Sequence, residues 1–154
     1  MVVGEGHPAA TAAVAAAFGD DLLASHAFRG QETIAVRAAR IAAILRFLRE
    51  HPDLEFDFLT DLCAVHYPDR EYQYEVVYHL YSFRNNRRLR VKARIFHGDS
   101  CPTAVEVYPA ANWPEREAFD MVGIRFEGHP DLRRILMPDG YEGHPLRRDF
   151  PLTG

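Results

Sequence analysis

The sequence predicts an α+β domain in which helices pack on a small, largely antiparallel mixed sheet, with an extended irregular C-terminal tail. Three observations predict it. Residues 74–81 and 88–95 alternate their side chains with period two on either side of Asn85-Asn86, as paired half-buried strands do. Ile41, Ile44, Leu45 and Leu48 recur at the spacing of one helix face. From Phe126 to Phe150, FEGHPDLRRILMPDGYEGHPLRRDF is too dense in Gly, Pro, His, Arg and acid to be regular along its whole length. The expected division is an α/β sandwich over residues 1–126 and a tail over 127–154, within a chain of single-domain size.

Taken in order, AATAAVAAAF (9–18) reads as a short amphipathic helix, and it lacks the basic start of a signal peptide. LLASHAFRGQETIAV reads as two short strands joined around Arg29-Gly30-Gln31. The helix carrying Ile41 to Leu48 follows and ends at Pro52. Leu62 to His66 reads as a strand, with Cys63 a small buried residue.

In the next strand Tyr74, Val76, Tyr78 and Leu80 share one face, and Glu75, Val77, His79 and Tyr81 the other. A two-residue loop at Asn85-Asn86 sets Leu80 opposite Val91, Tyr78 opposite Ala93 and Val76 opposite Ile95, apolar face to apolar face. The second face of that hairpin carries Arg88, Arg90, Lys92 and Arg94. Packing of their stems and cation–π contacts with the facing aromatics account for such a stripe without nucleic acid.

TAVEVY (103–108) reads as a further strand. Asn112 is placed to cap a helix with Trp113, Pro114 and Glu115 in its first turn, and Gly123 to stop it. GIRF extends into another short strand before the tail.

The composition sets bounds on function. With 47% hydrophobic residues the chain has a core to build, and a net charge of −4 gives no general footprint for nucleic acid. Cys63 and Cys101 fit neither a CxxC pattern nor a disulfide framework. No run approaches the roughly 18 apolar residues of a membrane helix, so the chain reads as soluble.

The residues that could carry chemistry are Glu115, Glu117, Asp120 and His129. Carboxylates with a histidine can hold a hard divalent cation or act as acid and base. Their spacing works against a cluster, because Glu115 and Glu117 are two apart and point away from each other on a helix, while Arg116 and Asp120, four apart, can pair. His129 and His144 each precede proline, a setting in which an imidazole braces a backbone carbonyl. Phosphate loops, nucleophile elbows and HExxH are absent from the sequence.

The tail interleaves Arg133, Arg134, Arg147 and Arg148 with Asp131, Asp139, Glu142 and Asp149, and with Leu132, Ile135, Leu136, Met137, Tyr141, Leu146 and Phe150. Apolar anchors among arginines suit a segment that lies along another protein. They equally suit one that wraps back on its own domain.

The run ANWPEREAFDMVGIRFEGHPDLRRILMPDGYEGHPLRRDFPL closely resembles the signature of the 30 kDa subunit (the C subunit) of proton-pumping NADH:quinone oxidoreductase, respiratory complex I. The residues that carry it are Glu115, Arg116, Glu117, Asp120, Gly123, Phe126, Gly128, His129, Pro130, Asp131, Leu132, Arg133, Arg134, Ile135 and Leu136, then His144, Pro145, Arg147, Arg148 and Asp149. Arg148 stands where the family usually has Lys. FDFLTDLCAVHYP and YEVVYHLYSFRNNRRLRVKARI also look like the family's, so the likeness runs from about residue 33 onward. Members commonly continue past PLTG, where this chain stops at Gly154.

The resemblance implies a non-catalytic subunit of the peripheral arm, on the cytoplasmic face of the inner (plasma) membrane. It implies no catalytic, cofactor or metal residues in this chain, with FMN, iron–sulfur clusters and quinone held by partner subunits. The implied partner is the large quinone-site subunit, and the signature residues are read as the interface and its bracing. Two other readings compete. One is the equivalent subunit of a membrane-bound hydrogenase or of a dehydrogenase with another donor. The other is a stand-alone metal-dependent hydrolase built on Glu117, Asp120 and His129.

Overall fold

A computed structural model describes residues 9–138 and 141–149; Asp139, Phe150 and the PLTG motif lie outside the described residues. In chain order the elements are α1 (Ala9–Phe18), β1 (Leu22–Phe28), β2 (Gln31–Arg37), α2 (Ile41–Glu50), β3 (Phe58–His66), β4 (Tyr72–Ser82), β5 (Arg87–Phe96), β6 (Cys101–Pro102), α3 (Asn112–Val122) and β7 (Phe126–Glu127). Five strands form one mixed sheet in the order β1-β2-β5-β4-β3, and β6 and β7 form a separate parallel pair. Only β2 and β5 run parallel within the large sheet. The class is the α+β one expected.

The inner sheet face is apolar because alternate residues of each strand are: Ile34 and Val36, Val76, Tyr78 and Leu80, Leu89, Val91 and Ala93 are all buried. Helix α2 lies on that face through Ile41, Ile44, Leu45 and Leu48, each fully buried. Burial of each such side chain contributes roughly 1.5–3 kcal/mol. Helix α1 adds Ala10 and Val14, and its Thr11 amide and hydroxyl both donate to the Glu32 carboxylate at 2.7 Å. The β1–β2 turn falls at Arg29 and Gly30, both with positive φ (51° and 80°), as a two-residue hairpin of matching twist requires.

The β4–β5 hairpin differs from expectation in register. Tyr78 pairs with Val91, Val76 with Ala93 and Leu80 with Leu89, and Ser82–Arg87 closes a loop of residues 83–86. The shift is by two residues, so every side chain keeps its expected face. A two-residue hairpin turn needs left-handed φ at its first position, whether type I′ or II′; Asn85 does not have it, and Asn86 does (48°). Asn85 instead donates from its side chain to the Asp53 and Leu54 carbonyls at 3.2 and 3.0 Å, tying the loop to the approach to β3.

Three further expectations are corrected. Strand β3 begins at Phe58, because a bulge between Leu59 and Asp61 lets Leu59 and Leu62 both face the core although they are three apart. Cys63 is exposed, on the outer face; Cys101 is the buried cysteine. Residues 103–108 form a turn rather than a strand. Val107 and Tyr108 both donate to the Ala104 carbonyl, at 3.0 and 2.8 Å, and the buried positions Ala104, Val107 and Tyr108 follow a helical spacing.

Candidate docking surface

The two EGHP repeats close on the two ends of α3. In each, the glycine takes a left-handed φ, 82° at Gly128 and 92° at Gly143, and the histidine that follows reaches back to a helix carbonyl. His129 Nε2 donates to the Asn112 carbonyl in the first turn at 3.1 Å. Its Nδ1 accepts the Asp131 amide at 2.9 Å, which fixes the ring orientation. His144 Nδ1 donates to the Asp120 carbonyl in the last turn at 2.9 Å.

Asn112 does not cap α3. It sits inside the helix (φ −53°, ψ −58°), behind a single 3₁₀ turn from Pro109 to Ala111. Glu115 accordingly does not reach back to close a capping box. Its buried carboxylate accepts the Thr103 hydroxyl at 2.5 Å and the Ala104 amide at 2.7 Å. Burial pushes this carboxyl up to about 7, against the opposing pull of the Ala104 amide and Thr103 hydroxyl. Nearby, Tyr78 Oη lies 3.8 Å from Cys101 Sγ, and burial pushes that thiol up to about 12.

Asp120 organises the other end. One carboxylate oxygen accepts the successive amides of Ile135, Leu136 and Met137 at 3.1, 2.6 and 2.8 Å, a backbone nest around an anion. The other accepts Arg134 at 2.6 Å. Burial pushes this carboxyl up, but the Met137 and Leu136 amides, the Arg134 guanidinium and the Ile135 amide outweigh it and hold it below the usual carboxylate range. The last carbonyls of a helix have no partner within the helix. Here the tail supplies them: Arg134 and His144 donate to Asp120 O at 3.2 and 2.9 Å, and the Leu146 amide donates to Met121 O at 2.7 Å. Arg134 also donates to the Gly143 carbonyl at 2.6 Å. A cation at this end suits the helix dipole.

Gly123 stops the helix as expected, with φ 92°. A Cβ there would lie 2.8 Å from His144 Cδ2. Gly123→Ala should therefore cost about 2–3 kcal/mol in urea unfolding, combining left-handed strain with displacement of the ring. A loss below about 0.5 kcal/mol, within the range of an ordinary surface change, would mean His144 is not held there.

The signature residues thus separate into two groups. Glu115, Asp120, Gly123, Phe126, His129, Arg134 and His144 act within the chain, and Leu132 packs half-buried against the core. Gly128 turns the chain with its left-handed φ, and Ile135 gives its amide to Asp120. Arg116 does not pair with Asp120; it lies 5.5 Å over the Trp113 ring and donates to the Arg133 carbonyl at 3.4 Å. Glu117 faces outward. Arg133 forks onto Asp131 (2.7 and 3.0 Å) and Arg147 onto Asp149 (2.9 and 2.8 Å). The Arg148 amide donates to His66 Nδ1 at 3.1 Å. Trp113 (54% exposed), Leu136 (54%) and Leu146 (65%) remain large apolar side chains at the surface around these charges.

Glu117, Asp120 and His129 do not converge, and the described residues contain no group of three His, Cys, Asp or Glu side chains placed to hold a metal ion. Thr103, the hydroxyl partner of Glu115, belongs to no motif; only the fold brings it there. No described helix is long and apolar enough to cross a membrane.

Known proteins share this arrangement of sequence and fold. A family model described as the respiratory-chain NADH dehydrogenase 30 Kd subunit matches residues 34–154. The C subunit 2 of NADH-quinone oxidoreductase from Rhizobium meliloti (strain 1021) is 51% identical over 148 residues, covering 96% of this chain and 81% of that protein. The C subunit of NADH-quinone oxidoreductase from Roseiflexus castenholzii (strain DSM 13941 / HLO8) is 50% identical over 147 residues, covering 95% and 84%. Among solved structures, a chain of the membrane-bound sulfane sulfur reductase, an archaeal respiratory membrane complex, superposes with a TM-score of 0.76 at 27% identity, covering 92% of this chain and 84% of that one.

Proposed function

Because the chain belongs to the 30 kDa subunit family of the respiratory-chain NADH dehydrogenase, we propose that it is a non-catalytic peripheral-arm subunit of a proton-pumping NADH:quinone oxidoreductase. It docks on and braces the large quinone-site subunit, on the cytoplasmic face of the membrane, while partner subunits hold the FMN, iron–sulfur clusters and quinone. One observation supports this above the rest. The chain's most distinctive polar residues are engaged in fixing α3 and the tail in one shape. What that shape presents outward is Trp113, Leu136 and Leu146 among forked arginines, the composition of an interface core with its rim.

Leu136→Asp with Leu146→Asp should lower co-purification with the large quinone-site subunit about tenfold or more, while moving the melting temperature of the isolated chain by less than about 2 °C. Arg133→Ala should behave in the same way. Arg134→Ala should not, because its loss leaves Asp120 without its cation, and it should lower the melting temperature itself. Undiminished assembly of the Leu136/Leu146 variant would refute the docking surface.

The likeness to a chain of the sulfane sulfur reductase complex favours one second reading, in which the same module serves a respiratory membrane complex with a different electron donor or acceptor. The proteins that accompany the chain distinguish the two.

A further inference from the structure

The strand registers lay the outer sheet face out in rows. Arg88, Tyr81 and Phe58 form one row, Arg90, His79 and Asp61 the next, and Lys92, Val77 and Cys63 a third. The helices pack on the opposite face. In a chain of net charge −4, this face gathers a cationic column along β5. Its neighbours at the far end are matched within the chain, Arg94 to Glu75 at 3.4 Å and Arg37 to Asp99 at 3.5 Å. Arg88, Arg90 and Lys92 enter no ion pair among the described residues.

Beside the first two rows lies an open groove of about 740 Å³. Its wall carries Phe58 (46% exposed) and Phe83 (63%), ring centroids 5.6 Å apart, with Tyr81 4.8 Å from Phe83. Exposed aromatic rings next to arginines are the composition of a binding hot spot rather than of a solvated face.

We propose that this face docks an acidic segment of another polypeptide of the assembled complex, lying extended along β5 with a large apolar side chain seated against the packed Phe58–Phe83 pair. Alternate side chains of β5 stand roughly 6.8 Å apart, and alternate side chains of an extended partner segment repeat at the same spacing. Three carboxylates in such a segment therefore meet Arg88, Arg90 and Lys92 in register. A polyphosphate fits less well, because it has no apolar group to place against the aromatic wall of Phe58, Tyr81 and Phe83. This face shares no residue with the α3 and tail surface, so the two are separately testable.

The test is photo-crosslinking in the complex purified from native membranes, with p-benzoylphenylalanine replacing Phe83 and the adduct mapped by mass spectrometry. The same photoreactive residue in place of Leu136 reports on the α3 and tail surface. The expected adduct from position 83 lies in a stretch where Asp and Glu outnumber Lys and Arg. Its yield should fall about tenfold or more in R88E/R90E/K92E, while the yield from position 136 is unchanged. If the charge-reversed chain does not fold, the glutamine triple R88Q/R90Q/K92Q should show a smaller fall in the same direction. An adduct on a neutral or basic stretch, on nucleic acid or on a second copy of this chain would overturn the proposal. So would no adduct from position 83 beside a normal one from 136, or a yield indifferent to the charge change. An adduct from 83 with none from 136 would uphold this face and overturn the docking surface instead.

Discussion

Asp120→Ala is expected to be the most damaging single substitution among the residues that hold the tail to α3, costing about 3–5 kcal/mol of unfolding free energy. The side chain is fully buried. Its removal leaves the amides of Ile135, Leu136 and Met137 without their acceptor and Arg134 without its carboxylate. The loss should be local before it is global. Hydrogen exchange at those three amides should accelerate by orders of magnitude, while the β4–β5 amides exchange almost as slowly as before. Asp120→Asn should recover only part of the loss, since the amide still accepts from the nest but presents no charge to Arg134. If exchange at residues 135–137 is unchanged in Asp120→Ala, the carboxylate does not anchor the tail.

The second large effect is a pH dependence placed in Glu115. Its folded carboxyl is pushed from an ordinary 4.5 up to about 7, so folding favours the protonated form. The sign follows directly: the contribution is fully present below about pH 4.5 and is lost as pH rises through about 7, roughly 3 kcal/mol in all. Glu115→Gln should keep the geometry, with its carbonyl accepting the Ala104 amide and its NH₂ donating to the Thr103 hydroxyl. The variant should therefore fall less in stability than the parent between pH 5 and pH 8, and gain on it by about 2–3 kcal/mol at the higher pH. Comparing the two proteins reads Glu115 in its setting, with His129 Nε2 3.9 Å from the carboxylate. His66 and His79 are both held low, chiefly by burial, so they lose stability towards acid, in parent and variant alike. Parallel urea-derived curves for parent and variant across that window would show that Glu115 is ionised without penalty.

Much of the fold is legible in the sequence, and the departures have physical causes. The helix at Ile41–Leu48 and the apolar faces of β4 and β5 follow from periodicity alone. The hairpin register does not, because Asn85 bonds to a distant loop and removes itself from the turn. The first half of β3 is hidden because a bulge breaks its alternation. TAVEVY alternates like a strand, yet Glu115 draws Thr103 and Ala104 towards α3 instead. The carbonyl-bracing role of His129 and His144 is legible from the proline after each. That the two repeats hold opposite ends of one helix is not, since it depends on the distance between those ends in space. Asp120 stands out for its charge, but its partners are backbone amides some 15 residues on, and no sequence pattern marks an amide as a ligand.

The most direct test of the central claim is affinity purification of the tagged chain from its native membranes, with identification of every co-purifying protein and an NADH:quinone assay on the eluate. A docking subunit of an NADH:quinone oxidoreductase should bring down the large quinone-site subunit and NADH-oxidising partners, and the eluate should reduce quinone with NADH while the chain alone does not. Recovery of the chain by itself, or activity in the isolated chain, would contradict it.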